Sequence, residues 1–560
     1  MSVSYVACSS KPGETVKGTG TSKKEVMKLT IYAGNRVSMF ASDATDVVTP
    51  YILKKFNLQL EFVPESTQSF EERLALWVST NTLPDLFMGA GATDLVKNDV
   101  IMPLDEYIPS MTNFNKYWVG SDKLWARYTY NGKIYQIPEA SPPAGPNDVK
   151  TDPYYVGGGS HAMYVREDIL AATGYKFETL ASIEARTTAK SIKPQPEDFA
   201  IDPPLDSPDA FYDFLRKVKD LNIEVDGKPI IPFSPVAWHL WHFGNIFGFG
   251  QWVIRDNGEV TFGLGSPGSR DYFKWIKKCY DEGLLDKDFL IHNDSEQMEK
   301  FASGRVASGV FISDREAANE SLRQINPNAT LRYIPWPKQA TTKGFFDCDH
   351  YGFFGWSINK DFKQVPRLLE FWDWMYSDEG QDILCWGPAE SGIWEMKDGK
   401  KVFVDDQVAY DVLNDVLESK GADYYGLIKW PPIGITYLSK GGNAGPGPCF
   451  RVPSPFHPMR SYPPQLNIYD VNKCYSCMNG VAWNDDAFYG NANTDAVGAT
   501  GAYFWVDFLG NDIARLLTAK NDKEFDAVWD QVMAQFEETG RYSEAQADMK
   551  AWLIENGYMK

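Results

Sequence analysis

The alternation of strand and helix patterns between residues 28 and 88 restricts the fold more than any other feature of this chain. Residues 28–32, 58–62 and 85–88 are short apolar or alternating stretches typical of strands. Residues 46–56 and 70–80 lie between them and have the pattern of helices. A β-α-β-α-β order predicts a parallel sheet with right-handed crossovers. The predicted fold class is therefore α/β.

The length of the chain, 560 residues, exceeds what one hydrophobic core normally holds, so two or more lobes are expected. Ligands of parallel sheets bind outside the carboxyl ends of the strands. The loops that follow the first and third strands, 34–38 and 89–93, are therefore candidate ligand-binding loops.

The composition narrows the class of ligand. Acidic residues outnumber basic ones by 75 to 55, which gives a formal net charge of -20. Such a surface repels phosphate backbones, and no block rich in Lys and Arg offsets it, so nucleic acid is not expected as a partner. Aromatic residues make up 14% of the chain, with 18 Trp and 29 Tyr. Most are expected to fill cores, and some to offer flat apolar faces to sugar rings.

Residues 1–27 are predicted to form a flexible tether. Within it, Cys8 follows the small residue Ala7 and precedes a tail rich in Lys, Gly, Thr and Ser, as lipidated cysteines of bacterial lipoproteins do. The basic and hydrophobic regions expected before such a cysteine are missing, so an ordinary thiol remains the alternative. The longest apolar runs fall well short of the roughly 18 residues of a membrane span.

Turn and helix signals continue along the rest of the chain. Asn131-Gly132 predicts a hairpin over residues 130–135, and Ser207-Pro208 predicts a helix start. A strand over 162–165 is expected to lead into a helix over 167–172, ended by Gly174. The further predicted helices cover 206–220, 269–282, 365–377, 507–518 and 522–540. Residues 238–250 are rich in aromatics and glycine, and such a loop must be covered by other structure.

Two motifs resemble cofactor or metal sites, but their context argues against those functions. Residues 263–268 fit the dinucleotide pattern G-x-G-x-x-G, yet the strand before them follows an Asp256-Asn257-Gly258 turn. An antiparallel hairpin is therefore predicted, whereas the motif needs a parallel strand. Cys474 and Cys477 form a C-x-x-C without a second pair, which predicts a local disulfide or two free thiols. No cofactor is predicted.

Enzymatic patterns are scarce in this sequence. No H-E-x-x-H, EF-hand, P-loop or G-x-S-x-G pattern occurs, and the six His give a histidine-based mechanism few candidates. Glycoside hydrolysis needs only two carboxylates, and 75 acidic residues are available. A carbohydrate-active hydrolase is therefore the alternative to a binding protein.

Five short motifs occur in one characteristic order along the chain. They are Leu83-Pro84-Asp85-Leu86, YNGKIYQIP at 130–138, MYVREDIL at 163–170, GRVASGV at 304–310 and EFWDWMYSDEG at 370–380. Together they resemble the family 1 extracellular solute-binding proteins, in a similarity that extends over about residues 30–540. The size and the lipoprotein-like start resemble the long branch of this family that imports oligosaccharides. The calcium loop D-x-N-x-D-G of some alginate-binding relatives is absent here, so no structural metal is predicted.

The resemblance implies the two-lobed, type II periplasmic-binding-protein-like fold, whose lobes are joined by hinge crossovers and close on the ligand. It implies an N-lobe of 28–163 plus 351–398 and a C-lobe of 164–350 plus 399–560. The crossings are expected near 160–165, 352–358 and 397–403. The implied function is that of a non-enzymatic receptor, the solute-binding subunit of an ABC importer. It would capture an oligosaccharide, or another small solute such as a peptide, and deliver it to the permease subunits.

The resemblance also places ligand-binding residues in the loops that line the cleft. They are Asn35, Arg36, Met88, Gly89, Glu139, His161, Trp238, Trp241, His242, Asp314, Arg315, His350 and Trp505. Structural roles remain open for most of them. The tryptophans could instead pack in a core or against a helix. The arginines could instead form ion pairs at the surface. Glu139 and His161 could form hydrogen bonds at the hinge. Asp314 could cap the N-terminus of a helix, and His350 could be a buried histidine with satisfied hydrogen bonds.

Arginines in the cleft of an acidic protein would suit an acidic sugar, such as an unsaturated uronate disaccharide. The protein is expected to be an extracellular monomer, held at the cytoplasmic membrane only through a lipid on Cys8.

Overall fold

The computed structural model describes most of the chain. The described residues are 25–32, 48–63, 70–88, 92–118, 125, 128–138, 163–190, 192–250, 252–255, 257–310, 315–337, 355–406, 468, 471–472, 476, 492 and 494–560. Cys8, Cys474 and Cys477 lie outside these residues, so lipidation and the state of the C-x-x-C pair stay predictions.

The strands of the described part, in chain order, are β1 Met27–Tyr32, β2 Leu58–Phe62, β3 Leu86–Phe87, β4 Thr129–Tyr130, β5 Lys133–Ile134, β6 Gln136–Pro138, β7 Met163–Arg166, β8 Lys176–Phe177, β9 Ile201–Asp202, β10 Glu224–Val225, β11 Lys228–Pro229, β12 Ile231–Ser234, β13 Val253–Ile254, β14 Val260–Thr261, β15 Val306–Val310, β16 Leu331–Ile334, β17 Gly355–Ile358, β18 Trp394–Lys397 and β19 Lys400–Phe403.

The α-helices of the described part are Val48–Phe56, Phe70–Thr80, Ala92–Lys97, Thr112–Trp118, Glu167–Ala172, Leu180–Lys190, Pro208–Asp220, His239–Phe243, Ser269–Asp281, Asp294–Ala302, Arg315–Ile325, Val365–Met375, Asp378–Trp386, Asp495–Ala502, Ile513–Thr518, Asp522–Glu538 and Tyr542–Glu555. A π-helix, Tyr503–Asp512, joins two of them.

The first sheet has five strands in the order β2-β1-β3-β17-β6. Strand β1 pairs in parallel with both β2 and β3, which confirms the predicted β-α-β-α-β unit. Strand β17 returns more than two hundred residues later and pairs antiparallel with β3 and with β6. Aromatic residues of the helix Val365–Met375 pack into the core of this sheet. The ring centroids of Trp372 and of Trp356 in β17 lie 6.2 Å apart.

The second sheet has four strands in the order β12-β15-β7-β16. Strands β12 and β15 are parallel, and β7 runs antiparallel to both of its neighbours. All five residues of β15 are buried, as expected for a strand covered on both faces. A larger aromatic core covers this sheet and extends to the C-terminal helices.

An amide side chain closes the β16 edge of the second sheet. Asn472 accepts a hydrogen bond from the backbone N–H of Tyr333 at 2.6 Å and donates one to the carbonyl of the same residue at 3.1 Å. The Asn472 side chain therefore occupies the two backbone groups that a further strand would use.

The Leu-Pro-Asp-Leu motif has a local structural function. The Asp85 carboxylate accepts hydrogen bonds from the backbone N–H of Thr30 at 2.8 Å and from its hydroxyl at 2.7 Å. The backbone N–H of Asp85 in turn donates to the Thr30 hydroxyl at 2.9 Å. These bonds fasten the start of β3 to β1 and set the register of the parallel pair.

The turn and cap predictions are confirmed where the structure describes them. Asn131 and Gly132 both have positive φ in the turn between β4 and β5. Ser207 caps the helix Pro208–Asp220 by accepting from the N–H of Ala210, with Pro208 at the first helical position.

The G-x-G-x-x-G segment follows an antiparallel hairpin of β13 and β14, as predicted. Its glycines meet packing constraints, because a Cβ at Gly265 would overlap the Tyr542 ring and one at Gly268 would overlap the Phe247 carbonyl.

Two predictions need correction. The helix predicted over 507–518 begins earlier, at Asp495. Its segment Tyr503–Asp512 is π-helical, which means that backbone N–H groups donate to carbonyls five residues earlier. The predicted lobe boundary between residues 398 and 399 falls in the turn of the β18–β19 hairpin, where Asp398 and Gly399 have positive φ. Because paired strands of one hairpin belong to one unit, we propose that the boundary lies after residue 403.

An ion pair connects the two predicted lobes. Lys97 ends the helix Ala92–Lys97 of the first lobe, and its Nζ atom lies 2.8 Å from Oδ1 of Asp495. Asp495 lies in the first turn of the helix Asp495–Ala502, which packs in the aromatic core of the second lobe. Both side chains are exposed, so solvent screens this pair and it adds little to stability. Within the described residues, no helix is long and apolar enough to cross a membrane.

The glycine of the Ser-Asp-Glu-Gly motif lies where the backbone leaves no room for a larger side chain. Gly380 lies in the first turn of the helix Asp378–Trp386, where its N–H donates to the capping hydroxyl of Ser377 at 3.1 Å. A Cβ at Gly380 would overlap the carbonyl oxygen of Trp374, which is backbone and has little freedom to move. Gly380→Ala is therefore expected to lower the free energy of unfolding by about 1–3 kcal/mol, measured by urea denaturation.

Gly498→Ala is the matched control, because Gly498 is also helical but its Cβ would meet no atom within 4 Å. This variant is expected to stabilise the protein by about 0.5–1 kcal/mol. Equal effects of the two substitutions would contradict the steric explanation.

Candidate functional site

Four of the predicted ligand-binding residues have described side chains, namely Met88, Trp238, Trp241 and Trp505. His242 and Arg315 are placed only by their helices, His239–Phe243 and Arg315–Ile325. The others lie outside the described residues and stay predictions: Asn35, Arg36, Gly89, Glu139, His161, Asp314 and His350.

Met88 directly follows β3 at the carboxyl end of the first sheet. Its backbone N–H donates to the carbonyl of Tyr32 at 3.1 Å, which extends the pairing of β3 with β1 by one residue. The Met88 side chain is buried in the core of the first sheet. In this structure the side chain packs in the core and is only 4% exposed.

Trp241 and Trp505 are brought together by the fold, although 264 positions separate them in the chain. Their ring centroids lie 5.3 Å apart, with the ring planes inclined by 43°. Trp241 is 2% exposed and Trp505 is 42% exposed. Trp241 therefore fills the core, which was the structural alternative for it, and Trp505 forms the outer layer above it.

Further aromatic rings hold Trp241 from the other sides. Its ring lies 4.6 Å from Phe504, 5.2 Å from Phe262 and 5.4 Å from Phe249. We call Trp241, Phe249, Phe262, Phe504 and Trp505 the aromatic cluster. Because its inner rings are buried and tightly packed, the exposed indole of Trp505 rests on a rigid base.

Trp238 lies in the turn before the helix His239–Phe243 and is half-buried. Its indole N–H donates to the Asp294 carboxylate at 3.3 Å, and its ring lies 4.2 Å from the ring of His239. The His239 Nε2 atom lies 3.2 Å from the other oxygen of Asp294. Asp294 thus contacts both rings and fixes the orientation of Trp238.

The tautomer of His239 follows from its contacts. Nδ1 accepts a hydrogen bond from the backbone N–H of Val236 at 3.1 Å, so the proton of the neutral ring is on Nε2, facing Asp294. Burial lowers the pKa of His239 below its ordinary value of 6.5, although Asp294 opposes this shift. The ring is therefore neutral near pH 7, and the turn that carries Trp238 keeps one hydrogen-bonding arrangement.

A polar cluster secures the carboxyl end of β12, from which this turn begins. The Asp286 carboxylate accepts hydrogen bonds from Ser234 at 2.7 Å and from Lys300 at 2.8 Å. His292 Nε2 lies 2.8 Å from the carbonyl of Pro235. Burial would raise the pKa of Asp286, but hydrogen bonds, above all from Lys300, hold it below its usual value. The anchored strand end makes the tryptophan turn a fixed part of the scaffold.

The described part of this region offers an exposed indole on a rigid aromatic base and a second, hydrogen-bonded indole. Such faces suit the apolar side of a sugar ring. Within the described residues, no group of three or more His, Cys, Asp or Glu could hold a metal ion.

Sequence reasoning had placed Trp238, Trp241 and Trp505 in the site but could not separate the core ring from the exposed one. It missed His239, whose only sequence signal is its position directly after Trp238, and Asp294, which has no candidate beside it. Asp294 follows Asn293, the capping residue of its helix, and nothing in that pattern indicates a contact with Trp238.

Comparison with known proteins gives a consistent result. Residues 48–386 match the family model of the bacterial extracellular solute-binding proteins. The chain is similar to the crystal structure of the alginate-binding protein AlgQ2 without calcium, with 18% identity and a TM-score of 0.62 over 94% of this chain and 98% of that one. It is also similar to the ABC-transporter substrate-binding protein FusA of S. pneumoniae in complex with kestose, with 15% identity and a TM-score of 0.60 over 95% and 99% of the two chains.

A third similar structure is an HMO-binding, ABC-transporter-associated solute-binding protein from Bifidobacterium longum infantis, with 13% identity and a TM-score of 0.57 over 96% of this chain and all of that one (100%). These structures confirm the predicted two-lobed periplasmic-binding-protein-like fold.

A curated relative, an uncharacterized protein in the butB 5' region of Niallia circulans, is 29% identical over 76 residues. This match spans 13% of the present chain and only 29% of the relative's own length.

Proposed function

We propose, on the premise that the chain belongs to the bacterial extracellular solute-binding protein family, that it captures an oligosaccharide and delivers it to the permease of an ABC importer. The observation that carries this proposal is Trp505, an indole 42% exposed on a buried aromatic base. An indole that is partly exposed and held by buried rings offers a fixed flat surface that can contact the apolar face of a sugar ring.

The ligand class is supported by similar proteins of the same fold. AlgQ2 is an alginate-binding protein, FusA binds kestose, and the Bifidobacterium protein binds HMO. The three names describe different carbohydrate ligands. A platform that contacts the apolar face of a sugar ring tolerates such variation, because it does not depend on the hydroxyl pattern alone.

The proposed mechanism is closure of two lobes around the sugar. The lobes would comprise residues 28–163 plus 351–403 and residues 164–350 plus 404–560, each built on one of the two sheets. Ligand that contacts both lobes stabilises the closed arrangement, and the permease recognises that arrangement. The receptor would act as a monomer and bind at an extracellular surface. Cys8 would carry a lipid anchor, and Arg36 and Arg315 would favour acidic sugars.

The test is thermal unfolding of the purified protein against alginate oligosaccharides, kestose, HMO and a set of short peptides. Ligand at about one hundred times its dissociation constant adds roughly 2.7 kcal/mol to the free energy of unfolding, which raises the midpoint by a few degrees. Each stabilising sugar is then recovered and examined by chromatography.

The outcomes separate the candidate functions. A midpoint shift with intact sugar is the expected result and supports the receptor. A shift accompanied by cleavage would replace the receptor with a hydrolase. Stabilisation by peptides alone would keep the family function but overturn the oligosaccharide as ligand.

A further inference from the structure

Trp505 lies on an unusual type of helix. The helix Asp495–Ala502 continues through the π-helix Tyr503–Asp512 into the helix Ile513–Thr518 without a break. The N–H of Ile513 donates to the carbonyl of Phe508, five residues earlier, as in π geometry. Such segments mostly occupy a single turn and often mark functional sites. A π-helix of ten residues therefore needs a specific stabilising contact.

That contact joins the two ends of the π-helix. The Tyr503 hydroxyl donates to the Asp512 carboxylate at 2.7 Å, and both side chains are buried. These residues are nine positions apart, which in an α-helix of about 3.6 residues per turn is two and a half turns. An α-helix would therefore point them in opposite directions. Only the wider π turn brings them to one face, so the bond forms in the π register alone.

The same register determines how Trp505 meets its base. Phe504 and Trp505 are consecutive, yet both rings contact Trp241, at 4.6 Å and 5.3 Å. Consecutive residues of an α-helix point about 100° apart. The wider π turn reduces this angle and lets both rings reach one neighbour. Phe504 is then fully buried, while Trp505 lies at the margin of the aromatic cluster with one part exposed.

We propose that Asp512 is a positioning residue for Trp505, because its hydrogen bond with Tyr503 holds the π register that presents the indole to the ligand. The inference rests on the proposed function, in which Trp505 is the sugar platform. If the bond is lost, the segment relaxes toward α geometry. Because Tyr503 would then turn by about half a revolution relative to Asp512, Trp505 would be displaced from Trp241.

Fluorine NMR of protein labelled with 5-fluorotryptophan tests the proposal without any sugar. The Trp505 resonance is identified by its loss in Trp505→Phe. Tyr503→Phe removes only the hydroxyl, and the remaining ring keeps its packing against Phe536, 5.7 Å away. We expect this variant to move the Trp505 resonance further than that of any of the other tryptophans among the 18. A Trp505 resonance that stays in place would overturn the proposal.

Two variants distinguish positioning from general weakening of the helix. In Asp512→Asn the amide oxygen still accepts from Tyr503, so the Trp505 resonance should keep its wild-type position, whereas Asp512→Ala should move it. Arg515→Gln removes the ion pair that Arg515 makes with Asp512 at 2.7 Å and leaves the Tyr503 bond intact, so no displacement is expected.

The opposite pattern is displacement of the Trp505 resonance in Arg515→Gln but not in Tyr503→Phe. It would show that the ion pair, and not the hydrogen bond between Tyr503 and Asp512, positions Trp505. Since no sugar enters the experiment, failure of the oligosaccharide panel and failure of this proposal are seen separately.

Discussion

Arg332→Met is expected to lower the free energy of unfolding by about 3–5 kcal/mol, because it leaves a buried carboxylate without its counter-charge. Arg332 is fully buried and lies 3.0 Å from Glu167, which is 5% exposed. The same guanidinium donates to the carbonyls of Glu178 at 2.9 Å and Phe199 at 3.0 Å. Burial raises the pKa of Glu167 even with Arg332 present, so this carboxylate depends strongly on its partner.

Urea denaturation followed by tryptophan fluorescence measures this effect as a lower midpoint. Arg186→Met is the matched control, since Arg186 pairs with Glu178 and Asp198 at the surface, where its side chain is about one third exposed. The control should lower the midpoint far less than Arg332→Met, because solvent screens an exposed ion pair. Similar losses in both variants would show that burial does not govern the strength of these pairs.

A double variant isolates the unpaired charge as the cause. In Glu167→Leu with Arg332→Met, no charge is left buried, so much of the lost stability should return. If the double variant is no more stable than Arg332→Met, the cost comes instead from lost hydrogen bonds, namely those of Arg332 to Glu178 and Phe199 and that of the Leu180 N–H to Glu167.

Trp505→Ala is expected to weaken binding of the sugar that stabilises the wild-type protein by about 2 kcal/mol, which is roughly a thirtyfold rise in Kd. The indole is the exposed face of the aromatic cluster, so its removal takes away the platform but leaves Trp241 and Phe504 in place. Isothermal titration calorimetry measures the change. The variant should also lower the free energy of unfolding, because more than half of the Trp505 surface is buried against the aromatic cluster, so binding is measured well below the unfolding midpoint.

Val506→Ala is the control, because Val506 is the next residue on the same helix and is 65% exposed. It should leave the affinity unchanged, while Trp505→Phe should retain part of it. Full affinity in Trp505→Ala would remove Trp505 from the ligand site and direct attention to Trp238.

Local patterns predicted much of the fold. The alternation of strand and helix patterns predicted the parallel strands β1, β2 and β3 of the first sheet. The structure shows both parallel pairs of β1. The Asn131-Gly132 turn and the Ser207 cap were predictable because a short sequence decides each of them. The position of β17 was not predictable in this way, since it enters the same sheet from a distant part of the chain.

The candidate site was predictable only in residue type. Family resemblance placed Trp241 and Trp505 in it, yet their different exposure arises from neighbours far away in sequence. The π-helix had no signature in the sequence, because an apolar pattern cannot distinguish hydrogen bonds four apart from bonds five apart. The deciding bond between Tyr503 and Asp512 exists only once the register is formed.

Two of the five motifs that carried the resemblance have a structural function in this chain. Asp85 fastens β3 to β1, and Gly380 leaves room for the Trp374 carbonyl. Neither contact involves a ligand. In this chain the two motifs therefore stabilise the scaffold.

The amide of Asn472 has a consequence for behaviour at high concentration. Exposed sheet edges recruit strands from other molecules, and this recruitment is a common start of aggregation. Strand β16 is an edge strand, and Asn472 occupies both backbone groups of Tyr333 at its centre. A second molecule cannot add a continuous strand there without first displacing that side chain. The edge is thereby protected against intermolecular pairing where many copies of the protein are crowded together.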